Sequence, residues 1–318
     1  MELHNSTIKF IAILGFIYLS KLLLNFFIWL WIMFFRPAKN LKREYGSWAM
    51  VTGSTDGIGR ALAFELASKG LNLVLVGRNP QKLELTSKEI EKKHHGIFTK
   101  SIVIDFASCR GEEVARIIDE GIKGLDLGIL INNAGLAYPY AKFLHEVDLE
   151  LMDSVIRVNI EGTTWVTKTV ISDMFEKKRK GAVVNIGSGS SCCVSSYPLC
   201  TIYAATKAYV AMLSKSISLE YKQHGIDVQC QIPLLVATKM PSIKKASFFI
   251  PSAETYSKAS IRWIGHDQIC IPYWTHALQT YLLRMLPDPI LDWFMFRMHL
   301  VMRQRGLRKD SRIEHSKN

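Results

Sequence analysis

The chain lacks the marks of a secreted, disulfide-stapled protein. Its six cysteines in 318 residues show neither disulfide-framework spacing nor a C-x-x-C pair. That excludes a disulfide scaffold and the common zinc and redox motifs, and it fits a reducing compartment. Acidic residues are in deficit, 28 against 40 Lys and Arg, so the net charge is +12. The positive charge is scattered and no nucleic-acid recognition motif accompanies it, so nucleic acid is not an expected partner. An anionic membrane surface explains the charge better. The absence of internal repeats and low-complexity linkers excludes solenoids and beaded arrays. Once an amino-terminal apolar run is set aside, about 270 residues remain, a size suited to one α/β domain.

What is present begins with that run. Residues 10–35 are apolar except for Lys21, Asn25 and a few small residues. Twenty-six helical residues at about 1.5 Å each exceed the ~30 Å hydrocarbon core, so one tilted span is expected, with an interfacial or hairpin-like anchor as the alternative. Lys21 costs roughly 2.5–3.5 kcal/mol on insertion scales, which the surrounding Leu, Ile and Phe offset. The run is too long for a cleaved signal peptide and has no small-residue cleavage site. Arg36, Lys39, Lys42 and Arg43 follow it, against Glu2, His4 and Lys9 before it. The positive-inside rule then puts the main domain in the cytosol and the short amino terminus in the lumen. The Asn5-Ser6-Thr7 sequon lies too close to the terminus and the membrane to be used. Residues 1–45 read as anchor and basic flank, 46–318 as the folded domain.

The domain opens on Trp-Ala-Met-Val-Thr-Gly-Ser-Thr-Asp-Gly-Ile-Gly at 48–59. An apolar run breaks at Gly53 and resumes with helical spacing from Ile58, the pattern of a strand, a glycine turn and a helix whose amino terminus takes a pyrophosphate. Gly53, Ser54, Thr55, Asp56, Gly57, Ile58 and Gly59 are the candidate phosphate cradle; a plain strand-to-helix turn is the alternative. A second strand over 71–76 ends at Gly77-Arg78. No carboxylate lies between Leu71 and Gln81, whereas an NAD site usually holds one there for the ribose 2′-hydroxyl. Arg78 suits a 2′-phosphate, so NADP(H) is the expected cofactor. Further strands are expected at 101–105, ending in Asp105, at 128–135, at 182–186 and at 227–232. The fourth delivers Asn132, Ala134 and Gly135 to the ligand crevice. Strands alternating with helices predict a doubly wound, Rossmann-like parallel sheet with helices on both faces.

Tyr203 and Lys207 stand four residues apart, hence on one helix face, and Ser190 lies thirteen positions before Tyr203. A neighbouring ammonium favours the phenolate, so Tyr203 is expected to titrate below its ordinary value of roughly 10. Such a trio suits proton exchange with an oxygen while something else moves a hydride.

Together these residues resemble the short-chain dehydrogenase/reductase family over about 46–240. The turn Thr52-Gly53-x-x-x-Gly57-Ile58-Gly59, the run Asn132-Asn133-Ala134-Gly135 and the set Asn159, Ser190, Tyr203 and Lys207 carry the resemblance. Within it, the phrases at 55–59, 69–76, 225–231 and 236–240 are similar to membrane-bound very-long-chain 3-oxoacyl-CoA reductases and the related steroid 17β-dehydrogenases. Leu234 stands where the family often has glycine, and 191–201, with Cys192, Cys193 and Cys200, is not typical. The resemblance implies hydride transfer from NADPH to a ketone, with Tyr203 as general acid and Lys207 on the nicotinamide ribose. Ser190 would hold the carbonyl oxygen, Asn159 a proton-relay water, and Thr238 a place in the cofactor site. Asn159 as a helix tie and Ser190 as a turn cap stay open as alternatives. The activity implied is 3-oxoacyl-CoA reduction in fatty-acid elongation at the endoplasmic reticulum membrane, beside other elongation enzymes. A hydroxysteroid dehydrogenase and a catalytically silent membrane scaffold are the alternatives. The phosphates of coenzyme A would account for part of the basic charge, with Lys239, Lys244 and Lys245 as candidates at the mouth.

Near the carboxy terminus, 281–302 mixes Trp293, Phe294, Met295, Phe296, Met298 and Leu300 with Arg284 and Arg297. It reads as an amphipathic segment on a bilayer or over an acyl tunnel, or as a helix packed on the core. From Arg303 onward the polar tail is expected to be disordered.

Overall fold

The computed structural model describes residues 2–177, 180–240, 243 and 245–315. The chain divides into two compact units, Met1–Ala38 and Lys39–Asn318. The boundary falls inside the basic flank expected to go with the anchor. Lys39 Nζ and the Tyr45 hydroxyl both donate to Asp227 Oδ2, at 2.9 and 2.5 Å, so the end of that flank is fastened to the domain. Burial and the adjacent Asp227 carboxylate together push the Tyr45 phenol well up.

The first unit is a helix, α1 (Glu2–Leu30), continued by a π-helical run, Trp31–Phe35. An apolar window within Asn5–Phe35 has a mean hydropathy of 2.1 and no buried residue; Met33, in the π-helical run, is buried. This is the one helix among the described residues long and apolar enough to cross a membrane.

In the second unit, α2 (Leu41–Tyr45) precedes an alternating series: β1 (Trp48–Thr52), α3 (Gly57–Ser68), β2 (Asn72–Gly77), α4 (Pro80–Lys93), β3 (Thr99–Val103), α5 (Gly111–Ile122) and β4 (Leu127–Asn132). There follow α6 (Leu149–Ile156), α7 (Thr163–Glu176), β5 (Gly181–Ile186), α8 (Gly189–Cys192), α9 (Thr201–Tyr221), β6 (Ile226–Gln231), α10 (Ala253–Arg262), β7 (Ile269–Cys270), α11 (Trp274–Arg284) and α12 (Asp288–His315). The sheet order is β3-β2-β1-β4-β5-β6-β7, every pairing parallel. Apolar residues such as Val51, Leu73, Ile131 and Val184 face one helical layer; Met50, Val74, Leu130 and Val183 face the other. Continuous apolar strands are what two covered faces require. The order reverses between β1 and β4, which opens a crevice at their carboxyl ends.

The doubly wound parallel sheet is as expected, with four differences in detail. β4 ends at Asn132, so Asn133, Ala134 and Gly135 follow it as loop and not as strand. β3 spans Thr99–Val103, so Asp105 lies two residues beyond its end, where its Oδ1 accepts from Ala107 N at 3.0 Å. β7 was not anticipated: two residues paired to Cys230 and Gln231 carry no period of their own. The tail is helical to His315, not disordered from Arg303, because α12 is pinned to the body. Arg303 Nε donates to Glu146 Oε2 at 3.1 Å and its guanidinium lies 5.4 Å from the Phe143 ring centroid.

Candidate active site

The glycine turn is built by contacts a side chain would destroy. Gly53 and Gly57 have φ of +65° and +53°, the left-handed region that favours glycine. A Cβ at Gly59 would overlap Asn133 Nδ2 and the Gly53 carbonyl. That contact exists because Asn133 Nδ2 donates to the carbonyls of Thr52 and Gly53, at 3.1 and 3.2 Å. Thr52 Oγ1 in return accepts from the N–H groups of Asn133 and Ala134, both at 3.0 Å. Thr52 and Asn133, absent from the candidate residues, therefore splice the first strand's turn to the fourth strand's. Their signal was their place inside two recognised motifs.

Ser54 is fully buried and spends both N–H and hydroxyl on the Val76 carbonyl. It ties the turn to β2 and does not face the crevice with its hydroxyl. Asp56 caps α3, accepting from Gly57 N at 2.8 Å and from Lys239 Nζ at 2.7 Å. Desolvation raises its pKa, but these two hydrogen bonds outweigh it and hold the carboxyl below its usual range. Lys239, a candidate for coenzyme A, is thus paired across the cofactor turn. Lys245 is exposed, and Lys244 lies outside the described residues. Thr55 packs beneath Gly77, Ile58 against the core, and Thr238 beside Gly57. Arg78 follows β2 and is exposed. The left-handed turn, the bare backbone at Gly57 and the amino terminus of α3 fit a pyrophosphate.

The catalytic candidates converge at the other side of the crevice. α9 carries Tyr203, Lys207, Val210, Ser214 and Ser218 on its inward stripe and packs along β6. Lys207 is buried; its Nζ donates to the Ile186 carbonyl at 2.9 Å and lies 6.0 Å from the Tyr203 ring centroid. A Cβ on Gly135 would stand 3.5 Å from both Lys207 Nζ and Asn159 Oδ1. Ser190 Oγ donates to Ser188 Oγ at 2.9 Å, and the Tyr203 hydroxyl bonds to Ser188 as well. Ser188, not foreseen, stands between the two.

Asn159 lies in a π-helical run, Arg157–Gly162, between α6 and α7. Single π turns often mark functional positions, because the extra residue pushes a side chain out of register. Here Asn159 Oδ1 accepts from Leu136 N at 2.8 Å, and Nδ2 donates to the Leu136 carbonyl and to Thr206 Oγ1, both at 2.9 Å. Its amide fastens the loop after β4 to α9. Below, Asn132 Nδ2 donates to Thr167 and Asn185, and Asn185 to Ser214, making a buried polar seam through β4, β5, α7 and α9.

The electrostatics depart from expectation. Burial pushes the Tyr203 phenol up, and the bond from Ser188 does not reverse it. The expected lowering by Lys207 fails because burial falls on the cation too: desolvation brings Lys207 down to about 8. Desolvation is the leading cause at both groups.

Segment 191–201 is strapped, not loose. Ser195 and Ser196 donate to Asp292 Oδ1 at 2.7 and 2.6 Å, and Tyr197 packs edge-on against His299 with centroids 4.4 Å apart. Arg284 donates to the Cys192 carbonyl at 2.7 Å. Leu199 is held at φ +60° with its side chain buried and its carbonyl bound by Lys142 N at 2.8 Å, local strain of the kind that gathers beside active sites. All six cysteines are free, and among the described residues no His, Cys, Asp and Glu cluster could hold a metal.

Leu234 fills the space against Gly189, where glycine was anticipated. It is held by His276, whose Nδ1 accepts from Leu234 N at 3.2 Å, leaving Nε2 to donate to the Leu235 carbonyl at 3.1 Å. Burial lowers the His276 pKa to about 4. Its folded value lies below the unfolded one, so the stability it confers is present above about 6.5 and lost as pH falls toward 4. The loss should reach about 2 kcal/mol by pH 5 and about 3 kcal/mol in full. Urea midpoints at neutral and mildly acid pH check this; His276→Gln should lack that part of the acid sensitivity.

A family model described as short chain dehydrogenase matches residues 47–246. A very-long-chain 3-oxoacyl-CoA reductase-like protein of Arabidopsis thaliana is 49% identical over 305 residues, 94% of this chain and 96% of that one. The human very-long-chain 3-oxoacyl-CoA reductase is 39% identical, with 83% of each chain covered. A human protein named inactive hydroxysteroid dehydrogenase-like protein 1 is 36% identical over 84% of this chain and 81% of its own. Among solved structures, a 7β-hydroxysteroid dehydrogenase aligns with a TM-score of 0.72 at 22% identity, covering 81% of this chain and 99% of its own. A short-chain dehydrogenase from Sphingobium yanoikuyae in complex with NADPH aligns with a TM-score of 0.61 at 24% identity, covering 76% and 97%. The two structures speak to the fold.

Proposed function

The chain belongs to the short chain dehydrogenase family, and from that premise we propose that it reduces 3-oxoacyl-CoA to 3-hydroxyacyl-CoA with NADPH. The substrates are long- or very-long-chain, and the step is the first reduction after condensation in fatty-acid elongation. The observation that carries the reading is the convergence of Tyr203, Lys207, Ser190 and Asn159 at the sheet's switch point, intact in a chain similar end to end to proteins named for that reaction.

NADPH, when bound, supplies the hydride. Gly53, Gly57 and the α3 amino terminus would hold its pyrophosphate, and Arg78 its 2′-phosphate. Asp105, Ala134, Gly135 and Thr238 edge the same site. Ser190 positions the carbonyl oxygen and stabilises the charge that grows on it. Tyr203 donates its phenolic proton to that oxygen, and Lys207 stabilises the phenolate left behind. Asn159 acts by holding the loop after β4 against α9 at Lys207.

Replacing Arg78 by Asp should weaken NADPH about 10–100-fold and spare NADH, the range for a lost charge-assisted hydrogen bond. Steady-state KM values for the two nucleotides check it.

We propose further that the enzyme sits on the endoplasmic reticulum membrane, with the catalytic unit in the cytosol beside the other elongation enzymes; the long apolar α1 supports an anchor. The deciding experiment is NADPH oxidation by the detergent-solubilised full chain, with a long-chain 3-oxoacyl-CoA and, separately, a ketosteroid. Turnover of the acyl-CoA alone supports the proposal; turnover of the steroid alone replaces it with a hydroxysteroid dehydrogenase. NADPH binding with neither turned over would favour a silent scaffold, a reading raised by the relative named inactive.

A further inference from the structure

The carboxy-terminal helices show two faces of different character. On α12, Leu291, Met295 and His299 repeat every four residues and are buried. The stripe Ile290, Phe294, Arg297, Val301 and Arg308 is exposed. Trp293 beside it is 63% exposed, although Trp is highly buried on average. Leu282 at the end of α11 and Met285 in the connection to α12 extend this surface. Phe248 and Phe249 adjoin it: Phe248 packs edge-on against Trp274 at 5.2 Å, and the Phe249 carbonyl accepts from Gln279 at 3.1 Å, yet both rings remain exposed. An apolar surface of this extent is rarely left bare on a soluble monomer and marks a contact.

Charge indicates what makes the contact. Between 274 and 309 there are six basic residues, Arg284, Arg297, Arg303, Arg305, Arg308 and Lys309, and two acidic ones, Asp288 and Asp292. Arg303 is engaged by Glu146, Arg284 by the Cys192 carbonyl and Asp292 by Ser195 and Ser196, whereas Arg297, Arg305 and Arg308 follow the exposed stripe of α12, with Asp288 the one exposed acid in that stretch. The Arg297 guanidinium lies 6.0 Å from the Trp293 ring centroid. Trp, Phe and aliphatic side chains bordered by arginine match the boundary between hydrocarbon and anionic headgroups, where rings and guanidinium both find partners. We infer that α11, the exposed stripe of α12 from Ile290 to Arg308 and the Phe248–Phe249 tip form a second bilayer contact, seated in the interface of an anionic membrane and additional to α1. The same helix lays its inner face on segment 191–201, so the membrane-facing element is also a wall of the substrate side.

The test uses the full chain in vesicles of phosphatidylcholine and phosphatidylserine whose acyl chains are brominated near the carbonyl. Wild type and Trp293→Phe both float with the vesicles through α1, so the readout is local quenching and needs no turnover. Trp293 is one of seven tryptophans. The wild-type-minus-variant spectrum should be that of a strongly quenched tryptophan, and Arg297→Glu or omission of phosphatidylserine should weaken the quenching. Superimposable fractional quenching of wild type and Trp293→Phe would overturn the inference. So would a detergent-solubilised dimer that Trp293→Asp/Phe294→Asp converts to monomer, with Trp293 unquenched in the vesicles, because a second copy would then cover the face.

Discussion

Tyr203→Phe is expected to lower kcat for ketone reduction by about 10²–10⁴-fold, the contribution of a positioned general acid, with NADPH affinity retained. The resting state of the site makes this a clean test. Burial raises the Tyr203 phenol, so at neutral pH it holds its proton and is already in the acid form that reduction consumes. Phe keeps the ring, its packing and the helix, and removes only the transferable proton and the bond to Ser188. Single-turnover oxidation of NADPH measures the loss, and nucleotide fluorescence titration measures the affinity. Loss of both together would mean that the variant disturbed the cofactor cleft, and unchanged turnover would remove Tyr203 from the chemistry.

The parallel sheet was legible because β1, β2, β4 and β5 are largely apolar runs that alternate with helical segments; β1, β2, β5 and β6 lie within one or two residues of their expected bounds. Contiguous motifs at 52–59 and 132–135 marked one face of the site, and the spacing of Tyr203, Lys207 and Ser190 marked the other. What stayed hidden depended on contacts between distant segments. No pattern tells that His276 would hold Leu234, or that Asn133 would sit under Gly59, since those pairs are 42 and 74 residues apart by position. The direction of the Tyr203 shift was misjudged for the same reason. Sequence puts a cation near a phenol, but only the fold states how much water each has lost. Segment 191–201 follows no period, because its order comes from Asp292, His299 and Arg284 on the carboxy-terminal helices. The helical tail was missed because its polar residues are pinned by Glu146 and Phe143, not by an apolar stripe.

Lys207→Met should abolish detectable reduction and yet stabilise the cofactor-free protein, an opposition that a purely structural lysine would not produce. Lys207 is buried and donates to the Ile186 carbonyl, and desolvation lowers its pKa to about 8. The folded value lies below the unfolded value of about 10.4, so the cost of burying the charge is fully present below pH 8 and disappears as pH rises through 10.4. Two and a half units correspond to about 3 kcal/mol. Met removes that cost and keeps the apolar stem, but it orphans the Ile186 carbonyl, which returns about 1–2 kcal/mol. The net gain is therefore about 1–2 kcal/mol, a rise in Tm of a few degrees for a domain of this size. Activity moves the other way, because the ammonium proposed to stabilise the Tyr203 phenolate has gone. The same charge sets the pH profile of the wild type: reduction should be sustained below about pH 8 and decline above it as Lys207 loses its proton. Thermal melts without NADPH, beside a pH–rate profile, measure both effects. If Lys207→Met melts lower than wild type, the ammonium is held by more than the Ile186 carbonyl; if turnover persists undiminished above pH 9, it is not the group that supports the phenolate. A cation that costs stability in the empty site and is required in the filled one is the balance expected of a catalytic position, where the fold bears a strain that only cofactor and substrate relieve.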